Sequence, residues 1–205
     1  LADPAAATLG FIGAGARARA ASAGLRHLRR WRRVVATDDS SALSAEARSN
    51  PGAVIAEAGA VVLATTPRPP HLRPADVRPG QHLTFLGGEP PSRWQLPPAL
   101  LLGGRLIVDD IDAAMAAGVL GATGLNADHC DGTLGQVLRG EVAAHDPDRR
   151  SVYAAAGLPW QDLALSWVVY QHALAAGVGT TIESAPHPSH PRPRLSPTPS
   201  RRLPS

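Results

Sequence analysis

The sequence predicts an α/β fold, a largely parallel sheet flanked by helices, and three observations predict it. Short apolar runs alternate with segments of helical period through most of the 205 residues. The first run leads directly into a glycine-containing loop and a helix. The second run ends on two adjacent acids. Alternation of this kind marks βα units, because a parallel strand must be reached through a crossover.

Strands are expected at residues 8–12, 34–37, 60–64, 82–86, 105–108 and 151–155. Between the first two, Ala14, Ala18, Ala21, Leu25 and Leu28 recur at helical spacing, with Arg17, Arg19 and Arg26 on other faces. Residues 40–59 read as one or two short helices around Asn50-Pro51-Gly52, with no third strand before Ala60. A late amphipathic helix starts near Pro159, carries Trp160, Leu163, Ala164, Trp167 and Val168 as one stripe, and ends at Gly177. That stripe faces either the core or an interface. Residues 1–184 therefore read as one domain. Residues 185–205 are rich in Pro, Ser, Arg and His, too poor in apolar groups to offset ordering entropy, and are expected to be disordered. His187 and His190 within them are read as solvated tail residues.

All twenty basic residues are Arg, so no Schiff-base lysine is available. The net charge of +3 suggests nucleic acid, but its distribution does not. Arg192, Arg194, Arg201 and Arg202 lie in the tail, and without them sixteen basic residues face seventeen acids. No aromatic and arginine stripe accompanies them, so nucleic acid is not expected as a partner. The single cysteine, Cys130, excludes an internal disulfide framework and fits a reducing compartment. With no signal peptide and no spanning apolar run, a soluble, cytoplasmic protein is expected. The opening Leu1-Ala2-Asp3-Pro4 reads as a linker entering a domain, with further chain expected upstream.

With glycine at 20 of 205 residues, chance supplies about two Gly-x-Gly triplets. Gly177-Val178-Gly179 reads as one of these. Gly13-Ala14-Gly15-Ala16-Arg17-Ala18 differs by context, since it follows a strand and opens a helix. Such a helix start presents unpaired N–H groups and partial positive charge to a pyrophosphate. Gly13 permits the tight turn, Gly15 lets phosphates approach the backbone, and Ala18 keeps the helix close to the strand. This is the phosphate loop of a Rossmann-like domain. Asp38 stands 23 residues after Gly15, at the end of the second strand, with Asp39 beside it. An acid there bonds a ribose hydroxyl and favours NAD(H) over its 2′-phosphorylated form. Alternatively Asp38 and Asp39 cap the following helix. Domains for S-adenosylmethionine and flavin use similar loops.

The run from Thr8 to Ser184 resembles the ornithine cyclodeaminase/mu-crystallin family, which includes alanine dehydrogenases and ketimine reductases. The resemblance rests on ordered pieces: Gly-Ala-Gly-Ala-Arg at 13–17, where the family usually ends in Gln; Ala60-Val61-Val62-Leu63-Ala64-Thr65-Thr66; Pro79-Gly80-Gln81-His82; Leu86-Gly87-Gly88-Glu89-Pro90-Pro91-Ser92-Arg93; Val108-Asp109-Asp110; and Gly157-Leu158-Pro159-Trp160-Gln161-Asp162-Leu163-Ala164. It implies NAD(P)-dependent hydride transfer at the α-carbon of an amino or imino acid, followed in cyclodeaminases by internal attack on the imine and loss of ammonia. Carried onto this chain, the family's cofactor contacts fall at Ala16, Arg17, Asp38, Thr65, Thr66 and Leu86, Gly87 and Gly88. Its catalytic carboxylate aligns with Glu89 and a following Lys with Arg93. The family acts as a homodimer.

The chain also departs from that pattern. Glu89 replaces an Asp and is longer by a methylene, and a displacement of about 1 Å can cost on the order of 100-fold in rate. Arg93 keeps a charge in a different shape. Ala155 stands where the family often has a cofactor-contacting Ser. The interval from Asp38 to Thr65 is short for the family. The N-terminal domain, which carries the substrate-carboxylate Arg and Lys and the usual dimer interface, has no counterpart in these residues.

Among other constellations, His129-Cys130-Asp131 lacks metal-ligand spacing and reads as surface loop, and no metal is expected. Asp109, Asp110 and Asp112 either line a site at the carboxyl end of the sheet or cap the helix near Ile111. Ser151 and Ser166 have no recognisable nucleophile motif around them. Three functions fit these readings: an NAD-dependent enzyme of the cyclodeaminase class, a cofactor-binding fragment or degenerate homologue without a competent site, and a nucleotide-sensing module without chemistry.

Overall fold

The computed structural model describes residues 1–37, 40–64, 72–86 and 96–182. The expectation of disorder at 185–205 lies outside these residues. The chain divides into two compact units, Leu1–Leu163 and Ala164–Ser205.

The first unit is built on eight parallel strands: β1 (Thr8–Ile12), β2 (Arg33–Ala36), β3 (Glu46–Ala47), β4 (Ala60–Leu63), β5 (His82–Phe85), β6 (Arg105–Val108), β7 (Gly132–Thr133) and β8 (Ser151–Ala154). Their order across the sheet is β3-β2-β1-β4-β5-β8-β6-β7. The chain runs outward from β1 to β3 and then returns to place β4 on the other side of β1. The strand order therefore reverses between β1 and β4, the crevice where open α/β sheets take ligands at their carboxyl ends. The described helices are α1 (Ala16–Leu28), α2 (Pro51–Glu57), α3 (Pro98–Leu102), α4 (Ile111–Ala116), α5 (Val119–Thr123), α6 (Leu134–Leu138) and α7 (Pro159–Ala176).

Alternate residues of each central strand feed two separate cores. Leu9, Phe11, Val34, Ala36, Ala60 and Val62 pack with Ala18 of α1 on one face. Ile12, Val35, Val61, Leu63, Leu83 and Phe85 pack with α2, α3, α4 and α5 residues on the other. Burial on both faces explains why these strands read as continuous apolar runs. Gly10 marks the closest approach, since a Cβ there would stand 2.6 Å from Val54 Cγ1 and 2.8 Å from the Ala58 Cβ.

The six expected strands are all present, within a residue at their ends. Two more were not expected. β3 pairs with β2 through Val35↔Glu46 and Ala36↔Ala47, which corrects the expectation of no third strand before Ala60. With two residues it carries no periodic signal. Side chains hold it instead, because Arg33 and Arg48 both bridge Glu46 and Glu57. Hydrogen bonds from Arg33, then Arg48, lower the Glu46 carboxyl to about 2. β7, also two residues long, pairs with β6.

Arginine supplies much of the stapling elsewhere. Arg78 donates to the carbonyls of Ile55, Ala56 and Ala58 at the end of α2, and buried Gln81 donates to those of Ile55 and Ala58 at 2.7 Å. The Pro79-Gly80-Gln81 segment thus closes a helix end, with Gly80 at φ +71°. The other end of α2 is capped by Asn50, whose Oδ1 accepts from the Ala53 N–H at 3.0 Å, with Pro51 in the first turn.

The helix α7 begins at Pro159 and stops before Gly177, as its punctuation predicts. Its apolar surface is not one stripe, however. Leu165, Val169, Tyr170 and Leu174 lie outside the expected row and are 51–66% exposed, and no residue of the helix is buried. Among the described residues no helix is long and apolar enough to cross a membrane.

Candidate functional site

The glycine loop, Gly13–Ala18, sits at the carboxyl end of β1, beside the strand-order reversal. Gly13 adopts φ +96°, in the region that L side chains rarely enter. Its buried N–H donates to the Thr37 hydroxyl at 3.1 Å, which ties the loop to the end of β2. Gly15 has φ −66° and ψ −174°, a conformation open to any residue. A Cβ there would meet nothing within 4 Å. Neither backbone nor neighbours require glycine at this position; the open space does, if a ligand is to lie against the backbone.

Gly15 is also the N-cap of α1 and supplies no side chain to cap its N–H groups, and the first turn of the helix carries no acid. Within that first turn, therefore, no acid offsets the partial positive charge of the helix end. Gly15, Ala16 and Arg17 are exposed, while Ala18 is 0% exposed against the sheet. Uncapped donors, an open cradle and close helix packing fit a pyrophosphate. Arg17 adds a side chain to this end. Its Nη1 donates to the Leu86 carbonyl at 2.9 Å, and the Leu86 N–H in turn continues the sheet ladder to Leu63 O.

Asp38, Thr65, Thr66, Gly87, Gly88, Glu89 and Arg93 lie outside the described residues. In sequence they follow the carboxyl ends of β2, β4 and β5, the strands nearest the loop. The structure thus brings together Gly13, Gly15, Ala16 and Arg17, and with them Leu86.

The three acids after β6 have separate roles. Asp110 caps α4, its Oδ1 accepting from the Ala113 N–H at 2.8 Å. Asp109 accepts from the backbone N–H groups of Asp110, Ala156 and Gly157 at 3.0, 3.0 and 2.7 Å. It fixes the loop after β8 that contains Ala155. Asp112 lies in the first turn of α4, where its charge suits the helix dipole. Tyr153, half-buried on β8, is raised to about 12 by burial and by Asp109, so its phenol stays protonated.

His129-Cys130-Asp131 is a structural turn. His129 bonds Asn126, the Cys130 thiol donates to the Gly132 carbonyl at 3.2 Å, and Asp131 accepts from the Leu106 N–H at 2.9 Å and from Arg149 at 3.0 Å. Burial pushes the Cys130 thiol up, away from reactivity. At the amino end of the sheet His82 is buried, with Nδ1 2.8 Å from Ser151 Oγ and Nε2 3.0 Å from Thr84 Oγ1. Desolvation lowers it to about 3, so it is neutral in the folded protein. Near it a polar hollow of about 270 Å³ opens between Thr8, Glu57, Arg78 and His145, on the far side of the sheet from the loop.

Sequence reasoning missed Thr37 and the role of Asp109. A Thr ending a strand has an ordinary reason to be there, so nothing marks its hydroxyl as the acceptor for Gly13. Asp109 answers to a loop 47 residues later, a distance that no local pattern carries.

Comparisons with known proteins agree with this geometry. The model of the ornithine cyclodeaminase/mu-crystallin family matches residues 1–177. The chain is 30% identical over 134 residues to an alanine dehydrogenase of Archaeoglobus fulgidus, covering 60% of this chain and 40% of that one. It superimposes with a TM-score of 0.79, at 20% identity, on a Δ1-pyrroline-2-carboxylate reductase of Thermococcus litoralis solved with NADH and L-proline, covering 89% of this chain and 62% of that one. An archaeal alanine dehydrogenase dimer with bound NAD gives 0.77 at 24% identity, with coverage of 89% and 62%. The chain thus spans less than two thirds of the length of these relatives. Through a match extending over residues 1–177, the chain belongs to the ornithine cyclodeaminase/mu-crystallin family.

Proposed function

We propose that this chain is the dinucleotide-binding part of an NAD-dependent enzyme that acts at the α-carbon of an amino or imino acid. The observation that carries the reading is the open cradle at Gly15, on an uncapped helix end at the reversal of strand order, in a chain of this family. The backbone N–H groups of Gly15, Ala16 and Arg17 hold the pyrophosphate, with Gly13 setting the turn. Asp38 bonds the ribose hydroxyls and selects NAD over NADP. Thr65, Thr66, Gly87, Gly88 and Arg93 line the remainder of the cofactor. When bound, NAD supplies a hydride acceptor or donor. Glu89 exchanges the proton that must move when the α-carbon substituent changes between amine and imine.

Assembly as a homodimer and a cytoplasmic setting belong to the same proposal. They are supported by the dimeric archaeal relative and by a single, half-buried cysteine. A second reading, a cofactor-binding unit without chemistry, is favoured by Ala155 in place of a cofactor-contacting Ser.

Titration with NADH separates these readings from a chain with no cofactor at all. Saturable binding is expected, and Asp38→Ala weakens it; unchanged affinity in that variant removes the ribose assignment. Incubation with NADH and Δ1-pyrroline-2-carboxylate, followed at the nicotinamide absorbance, tests chemistry. Oxidation of NADH that Glu89→Gln abolishes supports the enzyme. Binding without oxidation by the whole enzyme that contains this chain supports the second reading.

A further inference from the structure

We infer that Asp109 is a positioning residue, which holds the loop Ala155-Ala156-Gly157 as a preset wall for the nicotinamide half of the dinucleotide. The inference rests on the proposed dinucleotide site and adds how the far half of that site keeps its shape.

Val108 and Ala154 are register partners at the ends of β6 and β8, so Asp109 and Ala155 are the first residues to leave two neighbouring strands. The Ala155 N–H prolongs the ladder to β5, donating to the Phe85 carbonyl at 3.2 Å. The next two N–H groups are taken by the acid at the end of β6. Ala156 donates to Asp109 Oδ1 at 3.0 Å and Gly157 to Oδ2 at 2.7 Å, so the two carboxylate oxygens hold consecutive amides. Oδ1 also accepts from the Asp110 N–H at 3.0 Å, which steadies the acid itself. Gly157 makes the turn at φ +84°, in the left-handed region that favours glycine. A Cβ on it would meet nothing within 4 Å, so the backbone conformation alone calls for glycine there.

Three successive N–H groups of the loop thus find acceptors within the protein. Ala155 and Ala156 are half-buried and Gly157 is exposed, so no large side chain anchors the segment. Such a loop has much conformational freedom to lose. Hydrogen bonds to a carboxylate, about twice as strong as neutral ones, hold it in one shape before any ligand arrives.

The loop lies at the carboxyl end of the sheet, on the β4-β5-β8 side of the strand-order reversal. A dinucleotide on the Gly13–Ala18 turn spans that crevice, with its adenosine toward β2 and its second nucleotide toward β4 and β5. Arg17 reaches from the turn to the Leu86 carbonyl, and Leu86 adjoins Phe85, the partner of Ala155. The exit of β5 is therefore flanked by the glycine turn on one side and by the pinned loop on the other. A nicotinamide nucleotide entering from the turn meets a wall already in place, and binding does not have to order it.

The test compares NADH with ADP-ribose, which lacks nicotinamide, by equilibrium titration of the whole chain. Asp109→Asn keeps one acceptor oxygen and sets an NH2 group against a loop N–H. It is expected to weaken NADH about ten- to thirtyfold and ADP-ribose by less than about twofold. A general loss of stability lowers both ligands alike, so the selectivity separates positioning from folding. Gly157→Ala strains the same turn from its other side and is expected to show the same selective loss; it decides alone if Asp109→Asn does not fold. The two substitutions together lose little more than the larger single one, because they undo one contact. Asp112→Asn removes a neighbouring carboxylate that lies in the first turn of α4, and leaves both ligands unchanged. Equal factors for NADH and ADP-ribose, or no change in either, overturn the positioning role and leave the dinucleotide site standing. A folded wild type that binds neither ligand overturns the site and the positioning role together.

Discussion

Gly13-Ala14-Gly15 and Gly177-Val178-Gly179 share a sequence pattern and differ in everything that gives it use. The first precedes α1, so it borders a helix end rich in unpaired N–H groups. The second follows α7, where Gly177 at φ +64° and Gly179 at φ +106° turn the chain away. There the N–H groups of Gly177 and Val178 close onto the carbonyls of Leu174 and Ala173. That is a helix stop, with its polar groups satisfied internally. The contrast teaches that two glycines become an anion site only when they sit at the donor end of a helix and leave their space open.

The largest effect expected of this contrast comes from placing a carboxylate in the cradle. Aspartate is a favoured N-cap, so Gly15→Asp should hold or raise the melting temperature. The same charge occupies the pyrophosphate position, and NADH affinity should fall by more than about 100-fold, roughly 2.7 kcal/mol. Gly179→Asp should leave NADH affinity unchanged. Equal behaviour of the two variants in a fluorescence titration would erase the distinction.

Next in size is Thr37→Val. It deprives the buried Gly13 N–H of its acceptor, at about 1–3 kcal/mol of stability. Chemical denaturation should register that loss, together with weaker NADH binding as the loop loosens. A similar loss is expected on acidification, from the opposite end of the sheet. His82 has a folded value near 3, below the ordinary 6.5. The unfolded chain therefore binds more protons in that window, and stability falls as pH drops below 6.5. At pH 5 the cost is about 2 kcal/mol. A His82→Gln variant should show a flatter acid limb in melts between pH 7 and 4; an unchanged limb would remove His82 as the cause. Loop variants are best compared above pH 6.5, where this term is silent. The smallest effect is Gly179→Ala, which strains a positive φ by about 1 kcal/mol and should leave NADH binding untouched.

How much of this was legible depends on how far each feature reaches along the chain. β1 followed by the glycine loop and α1 is local, and its residues announce it. The sheet's order is less visible, although continuous runs such as Ala60–Leu63 do reveal burial on both faces. β3 and β7 escaped because two residues make no period. In α7 the spacing of Trp160, Leu163, Trp167 and Val168 gives one apolar stripe, while Leu165, Val169 and Tyr170 extend the apolar surface beyond it. Of the site, Gly13, Gly15, Ala16 and Arg17 are legible in the sequence because strand, loop and helix follow one another directly. The Thr37 and Asp109 contacts, spanning 24 and 47 residues, exist only in the folded chain.

A dinucleotide seated on the loop at Gly13–Ala18 is open to direct measurement. Isothermal titration of NADH into the folded chain, at neutral pH and low salt, tests it most directly. One saturable site is expected, and Gly15→Asp abolishes it while circular dichroism stays native. Absence of saturable heat with the wild type, or full binding by Gly15→Asp, would contradict it.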